Sequence, residues 1–327
     1  MRIKVRWFLC VFGVLLAMGW GLFPDREPIV IQVAKSNWIS WNLLSLNPYL
    51  RSDDVGPVVL KFTDFPTYSD SYESFARGET EGIATTIFEA ILAAVNDVPL
   101  KVVLIMDYTV GSDALLAGVE ITSLIGLKGK KIGVEKGSIA HYTLLKAIDK
   151  SGLSIEDVEL VYDSMPNLQV AYRDRKIDAI SLFEPFLSAM KRQRESRVLF
   201  SSKEIPGKIC DVFCVTEGVL ERVPDFKASI LDHWEFNLGG LRVEEGAATS
   251  GPATSDAAII RGERAGTSGV FFTDRLENEV AFGSFEAPGY LVEAMQEMQA
   301  FMWAQGVIPT TVNIRELVIF SGGDRPQ

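Results

Sequence analysis

Histidine and cysteine are scarce in this chain of 327 residues, which has two histidines, His141 and His233, and three cysteines, Cys10, Cys210 and Cys214. No C-x-x-C pair occurs, so neither a zinc site nor any other metal site is expected. Cys210 and Cys214 fall on one extended stretch, where their Cα atoms would stand about 13 Å apart, too far for a mutual disulfide. They read as small buried apolar residues. Basic residues are also short, 32 Lys and Arg against 43 Asp and Glu, for a net charge of −11. That field repels phosphate backbones and argues against a nucleic-acid partner. The sequence also lacks a G-x-S-x-G elbow, a G-x-x-x-x-G-K-[ST] phosphate loop, an H-E-x-x-H pair, and a G-x-G-x-x-G between a strand and a helix. Nothing marks the chain as an enzyme, and no cofactor is expected.

With 47% hydrophobic residues, the chain is long enough for two compact domains or one large one with insertions. Arg2, Lys4 and Arg6 precede an apolar run over 7–16, then Ala17-Met18-Gly19 and the polar Asp25-Arg26-Glu27-Pro28. This is the layout of a secretory signal. The apolar stretch continues to Phe23 and approaches the roughly 17 residues of a membrane span, so residues 1–27 are expected to be a signal peptide or an N-terminal membrane anchor. Cys10 lacks the small residues that precede a lipid-modified cysteine.

From residue 29 onward, β-rich apolar segments alternate with helical ones, the grammar of parallel strands joined by crossover helices. Strands are expected at 29–33, 58–63, 82–85 and 101–106, with helix-like stretches over 43–50, 71–77 and 87–95 and an extended segment at 113–119. A second round places strands at 131–134, 158–162, 177–182 and 197–200, with helices up to 150, over 167–175 and over 185–195. A return strand at 212–216 leads to helices at 217–223 and 225–239. Residues 246–269, rich in Gly, Ala, Ser and Thr, read as a loop with one short helix. A helix over 290–305 follows, whose Met295, Met298 and Met302 read as core filler.

In open parallel sheets, ligands sit beyond the carboxyl ends of strands, where helix N-termini carry unsatisfied N–H groups. The residues standing there are Trp38, the stretch 64–70, Thr85, Thr86, Asp107, Tyr108, Gly137, Ser138, Glu184 and Asp211. Gly137-Ser138 before a helix can receive an anion or form a plain cap. Asp107, Glu184 and Asp211 are acceptor-only groups that can clamp an amine or ring N–H donors, or else stand as separate solvated acids. Trp38 and Trp41 offer an aromatic wall, and His141 reads as a partly buried structural residue.

The ordered runs Met106-Asp107-Tyr108-Thr109-Val110-Gly111-Ser112-Asp113, Leu127-Lys128-Gly129-Lys130-Lys131-Ile132-Gly133-Val134, Gly137-Ser138-Ile139-Ala140-His141, Ile177-Asp178-Ala179 and Phe183-Glu184-Pro185, with Phe75-Ala76-Arg77-Gly78 before them, resemble the nitrate/sulfonate/taurine-type periplasmic substrate-binding proteins of ABC transporters. The resemblance implies an α/β, two-lobed type II periplasmic-binding-protein fold, each lobe a mainly parallel sheet flanked by helices. One lobe would hold residues 28–115 plus 213–327 and the other 116–212, joined by hinge strands at 114–119 and 211–216. It also implies a pocket of Trp38, Thr85, Thr86, Asp107, Ser138, Glu184 and Asp211, a monomer outside the cytoplasm, and permease and ATPase subunits as partners. The solute expected is small and nitrogen-bearing or a sulfonate, such as taurine, an alkanesulfonate or a pyrimidine-like base. Alternatives are a nitrate or bicarbonate-type anion, or a sensing role beside a membrane receptor.

Overall fold

The structure is a computed structural model in which residues 27–247 and 269–320 are described. The expected signal or anchor, apart from its last residue, and most of the 246–269 stretch lie outside the described residues.

Two sheets organise the chain. In the first, β1 (Ile29–Lys35) pairs in parallel with β3 (Gly56–Asp64) and β4 (Gly82–Thr86). β2 (Tyr49–Ser52) joins β3 in antiparallel at one edge. On the other side of β4 come β11 (Cys210–Val215), antiparallel to its neighbours, then β5 (Lys101–Val110) and β12 (Gly269–Phe272). The second sheet runs in the order β10 (Ser196–Ser201), β6 (Asp113–Gly118), β9 (Ala179–Phe183), β7 (Lys131–Val134) and β8 (Glu159–Tyr162). Every residue of β4, β6, β9 and β11 is buried. Helices cover both faces of these strands, which is why they read as continuous apolar runs without strand-like alternation.

Three helices follow strands of the first sheet, α1 (Ile39–Leu44), α2 (Tyr68–Ala76) and α3 (Ile87–Val95). The second sheet carries α4 (Ile139–Ser151), α5 (Met165–Arg173) and α6 (Phe186–Gln193). The chain then returns through α7 (Glu217–Arg222), α8 (Phe226–Ala247), α9 (Arg275–Phe282), α10 (Tyr290–Ala304) and α11 (Ile314–Leu317). Local chemistry sets several of these ends. Thr67 caps α2 by accepting the Asp70 N–H at 3.1 Å, Thr86 and Glu89 form a capping box on α3, and Gly152 ends α4 in the left-handed conformation at φ 72°. Met295, Met298 and Met302 are buried on α10.

Three expectations need correction. The helix-like stretch 43–50 splits: α1 stops at Leu44 and β2 begins at Tyr49, because Pro48 disfavours helical geometry in the residue before it. The two segments expected to cross between lobes each lie within one sheet. β6 is paired on both sides with β9 and β10, and β11 with β4 and β5, which satisfies their backbone groups inside a ladder. The chain changes sheet earlier each time, at Gly111-Ser112 and again between Ser201 and Cys210. Finally, β12 and α9 lie beyond the loop-like stretch, with Asp274 and Glu277 forming a capping box that starts α9.

The two crossings are tied together. Ser202 Oγ accepts the backbone N–H groups of Gly111 at 2.6 Å and Asp113 at 3.3 Å, and Thr109 N–H donates to the Ile209 carbonyl at 3.1 Å. Replacing Ser202 leaves two buried donors at the crossing without their acceptor, which costs about 1–3 kcal/mol. Ser202→Ala should therefore lower the unfolding free energy by that amount, read as a lower urea midpoint, and an unchanged midpoint would show that the crossing does not depend on this hydroxyl.

Candidate functional site

The ends of three adjacent strands of the first sheet bring together Thr86 on β4, Asp211 on β11 and Asp107 on β5, which are direct neighbours in register. Asp107 is 0% exposed and Asp211 2% exposed. The indole N–H of Trp38, which follows β1, donates to Asp107 Oδ2 at 3.1 Å. Asp107 Oδ1 and Asp211 Oδ1 have no hydrogen-bond partner. Burial pushes Asp107 up to about 7 against the pull of the Ser40 hydroxyl and the Trp38 indole. Asp211 is pushed well above the carboxylate range by burial first and then by the charges of Asp107 and Asp113.

Further carboxyl groups surround this pair. Asp113, the first residue of β6, is raised to about 6 by burial, although the Thr109 hydroxyl donates to it. Glu89 on α3 is raised to about 7, again chiefly by burial. Glu135, which follows β7, accepts the Ser69 hydroxyl of α2 at 3.1 Å across the gap between the lobes and keeps Oε2 without a partner. Tyr68, at the start of α2, is buried among these groups. Its phenol is raised by desolvation and then by Asp211, Glu89, Asp113 and Asp107 in that order.

Aromatic rings form the rest of the wall. Tyr68 packs against Trp41 and against Phe183 of the second sheet, each at 4.8 Å between centroids, and Phe183 meets Trp38 edge-on at 6.4 Å. The cleft is therefore closed by rings from both lobes over a floor of acids.

The residues singled out in the sequence are placed as follows. Trp38, Thr85, Thr86, Asp107 and Asp211 converge: Thr86 accepts the Phe88 N–H at 3.1 Å as a helix cap, and Thr85 Oγ1 lies 3.5 Å from Glu89 Oε2. Glu184 bonds its own helix, accepting the Ser188 N–H at 3.0 Å and the Ser188 hydroxyl at 2.8 Å, yet its charge still raises Asp113. Ser138 turns its hydroxyl back to the Glu135 carbonyl at 2.8 Å and makes no side-chain cap on α4. His141 is buried, packs edge-on against Tyr162 at 5.8 Å, and is pulled down to about 4 by burial and Lys136.

Cations that could neutralise the acids are engaged elsewhere. Lys35 donates to Asn42 at 2.8 Å and pairs with Asp64, and Lys208 pairs with Glu297. Lys136 is exposed and stands 5.4 Å from the Tyr162 ring.

The sequence reading included Tyr68 only within the stretch 64–70 and missed Glu89, Asp113, Glu135 and Phe183 as members of the cleft. Glu89 was visible as the one acid inside the apolar run 87–95, but Thr86-x-x-Glu89 reads locally as a capping box. Asp113 opens a strand after a turn-prone Gly111-Ser112, a position that carries no signal of its own.

A curated relative, the taurine-binding periplasmic protein of Escherichia coli strain K12, is 28% identical over 137 residues, 41% of this chain and 42% of that protein. The chain spans less than two thirds of the length of the curated relatives it matches first. Among solved structures, the alkanesulfonate-binding protein SsuA from Xanthomonas axonopodis pv. citri, bound to MOPS, superposes with a TM-score of 0.68 at 18% identity, covering 91% of this chain and 100% of that one. The desulfurization enzyme DSZB superposes with a TM-score of 0.58 at 14% identity, covering 89% and 96%. These likenesses show the fold, a two-lobed α/β periplasmic-binding-protein architecture. Residues 67–233, just over half of the chain, match the family described as NMT1/THI5 like, and the chain belongs to that family.

Proposed function

We propose that this protein is the extracytoplasmic solute-binding component of an ABC uptake transporter, and that its lobes close on a small nitrogen-bearing solute. The observation that carries this reading is the pair of open oxygens, Asp107 Oδ1 and Asp211 Oδ1, buried side by side without a donor. Where these acids are ionised they only accept hydrogen bonds, and a solute presenting N–H groups would complete both oxygens. Each charge-assisted bond contributes about 1.5–3 kcal/mol, and the rings of Trp38, Tyr68 and Phe183 supply faces on which a cation or flat ring gains further contact. An amine or a pyrimidine-like base fits best, and taurine fits through its ammonium end. A bare nitrate or bicarbonate would add charge beside buried acids, at a cost of several kcal/mol. The names of the sulfonate-binding structural neighbours favour a sulfonate as the second reading.

Chemistry on the solute has little support in the side chains present, although one structural neighbour is an enzyme. Burial pushes the Cys210 thiol up to about 12 and raises Cys214 as well, so neither supplies a thiolate near neutral pH. The family and the lobed fold support a carrier that hands its solute to permease and ATPase subunits. It would act as a monomer, either released by signal cleavage or held through residues 1–27.

Two outcomes are expected. In a thermal-shift screen of amines, pyrimidines, sulfonates and oxyanions, a nitrogen-bearing solute should raise the melting temperature by mass action. Asp211→Asn should weaken that hit by about tenfold or more, equivalent to ~1.4 kcal/mol. A screen with no hit, or an unweakened variant, removes the reading.

The second outcome concerns pH. The buried acids keep protons in the fold up to about 6 to 7, whereas unfolded carboxyls lose theirs near ~4. The unfolded chain therefore binds fewer protons than the native one in this window, and stability without solute should fall as pH rises from about 4 to 7. Asp211→Asn should flatten that slope in chemical denaturation series. A slope of opposite sign would mean that the acids are paired with cations.

A further inference from the structure

The start of α4 has no cap of its own. The Ser138 hydroxyl faces the Glu135 carbonyl, no acid lies in the first turn, and the preceding Gly137 is left-handed at φ +73°. The first-turn N–H groups of a helix this long attract an anion. Here the anion is supplied by the opposite lobe. Glu89 Oε1 accepts the Ile139 N–H at 3.1 Å, while Oε2 accepts the Thr86 N–H at 3.3 Å and the Thr86 hydroxyl. The carboxylate thus sits between the starts of two helices, 3% exposed. It also stands close enough to Tyr68 and Asp211 for its charge to act on both. The neighbouring Asp107 and Asp211, by contrast, each hold a buried oxygen with no hydrogen-bond partner among the described residues. One end of the cleft is therefore filled by a negative group of the protein, and the other lacks donors.

We infer that Glu89 takes the seat a solute's anionic group would occupy at the start of α4, and so sets the pocket to refuse sulfonates and carboxylates and to accept solutes presenting a cation or N–H donors alone. This deepens the clamp reading above and rests on it. Within that reading it favours simple amines and pyrimidine-like bases over taurine and alkanesulfonates. Glu89 acts by charge and by bulk. The side chain covers the Ile139 N–H at any pH, and above about pH 7, where the carboxyl is ionised, its charge also repels a second anion.

The test compares the full chain with Glu89→Ala and Glu89→Gln, using methylammonium and methanesulfonate, which match in size and oppose in charge. Binding is read by calorimetry and melting shift, with circular dichroism confirming the fold. Wild type should bind methylammonium and not methanesulfonate. Glu89→Ala should gain affinity for methanesulfonate by about tenfold or more, the scale of one charge-assisted bond, and lose affinity for methylammonium. Glu89→Gln removes the charge but keeps an amide oxygen on the Ile139 N–H, so its gain should fall between those of wild type and Ala. If Glu89→Ala does not fold, the Gln variant alone must show a methanesulfonate-induced shift that wild type lacks. Wild type binding methylammonium with no gain of methanesulfonate in a folded variant overturns the role of Glu89 and leaves the clamp standing. Wild type binding methanesulfonate as tightly as the variants do overturns it equally. Wild type binding neither methylammonium nor any other nitrogen-bearing solute removes the clamp reading itself.

Discussion

Buried carboxyl groups that face no cation among the described residues are the constraint around which this molecule is arranged. Asp107, Asp211, Asp113 and Glu89 are each at most 3% exposed, and an uncompensated carboxylate in such a place costs several kcal/mol. The fold manages the cost in three ways. It holds protons on the acids through raised pKa values, it gives Glu89 and Asp113 neighbouring hydroxyl donors in Thr86 and Thr109, and it sets Glu89 against two helix starts. Asp107 receives the Trp38 indole on one oxygen, and Asp107 and Asp211 each keep an oxygen without a hydrogen-bond partner among the described residues. That incompleteness lies at the junction of the lobes, where a solute would be enclosed.

The sheet topology makes this arrangement possible. β11 returns from the second lobe and inserts antiparallel between β4 and β5, so its first residues stand beside the last residues of its two neighbours. Asp211 therefore meets Thr86 and Asp107 although the three are distant in sequence. The same return brings Ser202 against Gly111 and Asp113, which ties the position of one of the acids to the crossing between lobes. Lobe closure and the electrostatics of the cleft are consequently linked. Two of the contacts between the lobes, Glu89 with Ile139 and Ser69 with Glu135, are made by the acids themselves, so opening the lobes would expose both carboxyls to water and lower their cost. On the proposed function, a solute that supplies N–H donors would shift the balance toward closure by binding the closed form better than the open one.

Most of the architecture was legible in the sequence because crossover folds write themselves as alternating apolar runs and amphipathic helices. The strands 82–85, 101–106 and 131–134 and the helix 87–95 follow from such patterns. The split of 43–50 turns on a single proline, and β12 with α9 lies beyond a stretch without periodicity. The cleft was legible in part. Residues at strand ends can be named from topology alone, which placed Trp38, Thr85, Thr86, Asp107 and Asp211. Residues whose role comes from the opposite lobe cannot be read that way. Glu89 looks like half of a capping box and is one, and only the approach of α4 gives its second oxygen another partner. Ser138 shows the converse, since a serine before a helix reads as a cap, yet its hydroxyl is drawn to a nearer carbonyl.

The central claim is that the acids of the cleft trade protons for the N–H groups or positive charge of a solute. Calorimetric titration of a cationic solute in buffers of different ionisation enthalpy counts the protons exchanged on binding. At pH 6, below the raised value of Asp107, binding should release protons. The release should diminish as the pH rises past about 7, where Asp107 and Glu89 lose their protons without solute. Proton uptake at pH 6, or binding with no exchange there, would contradict the account.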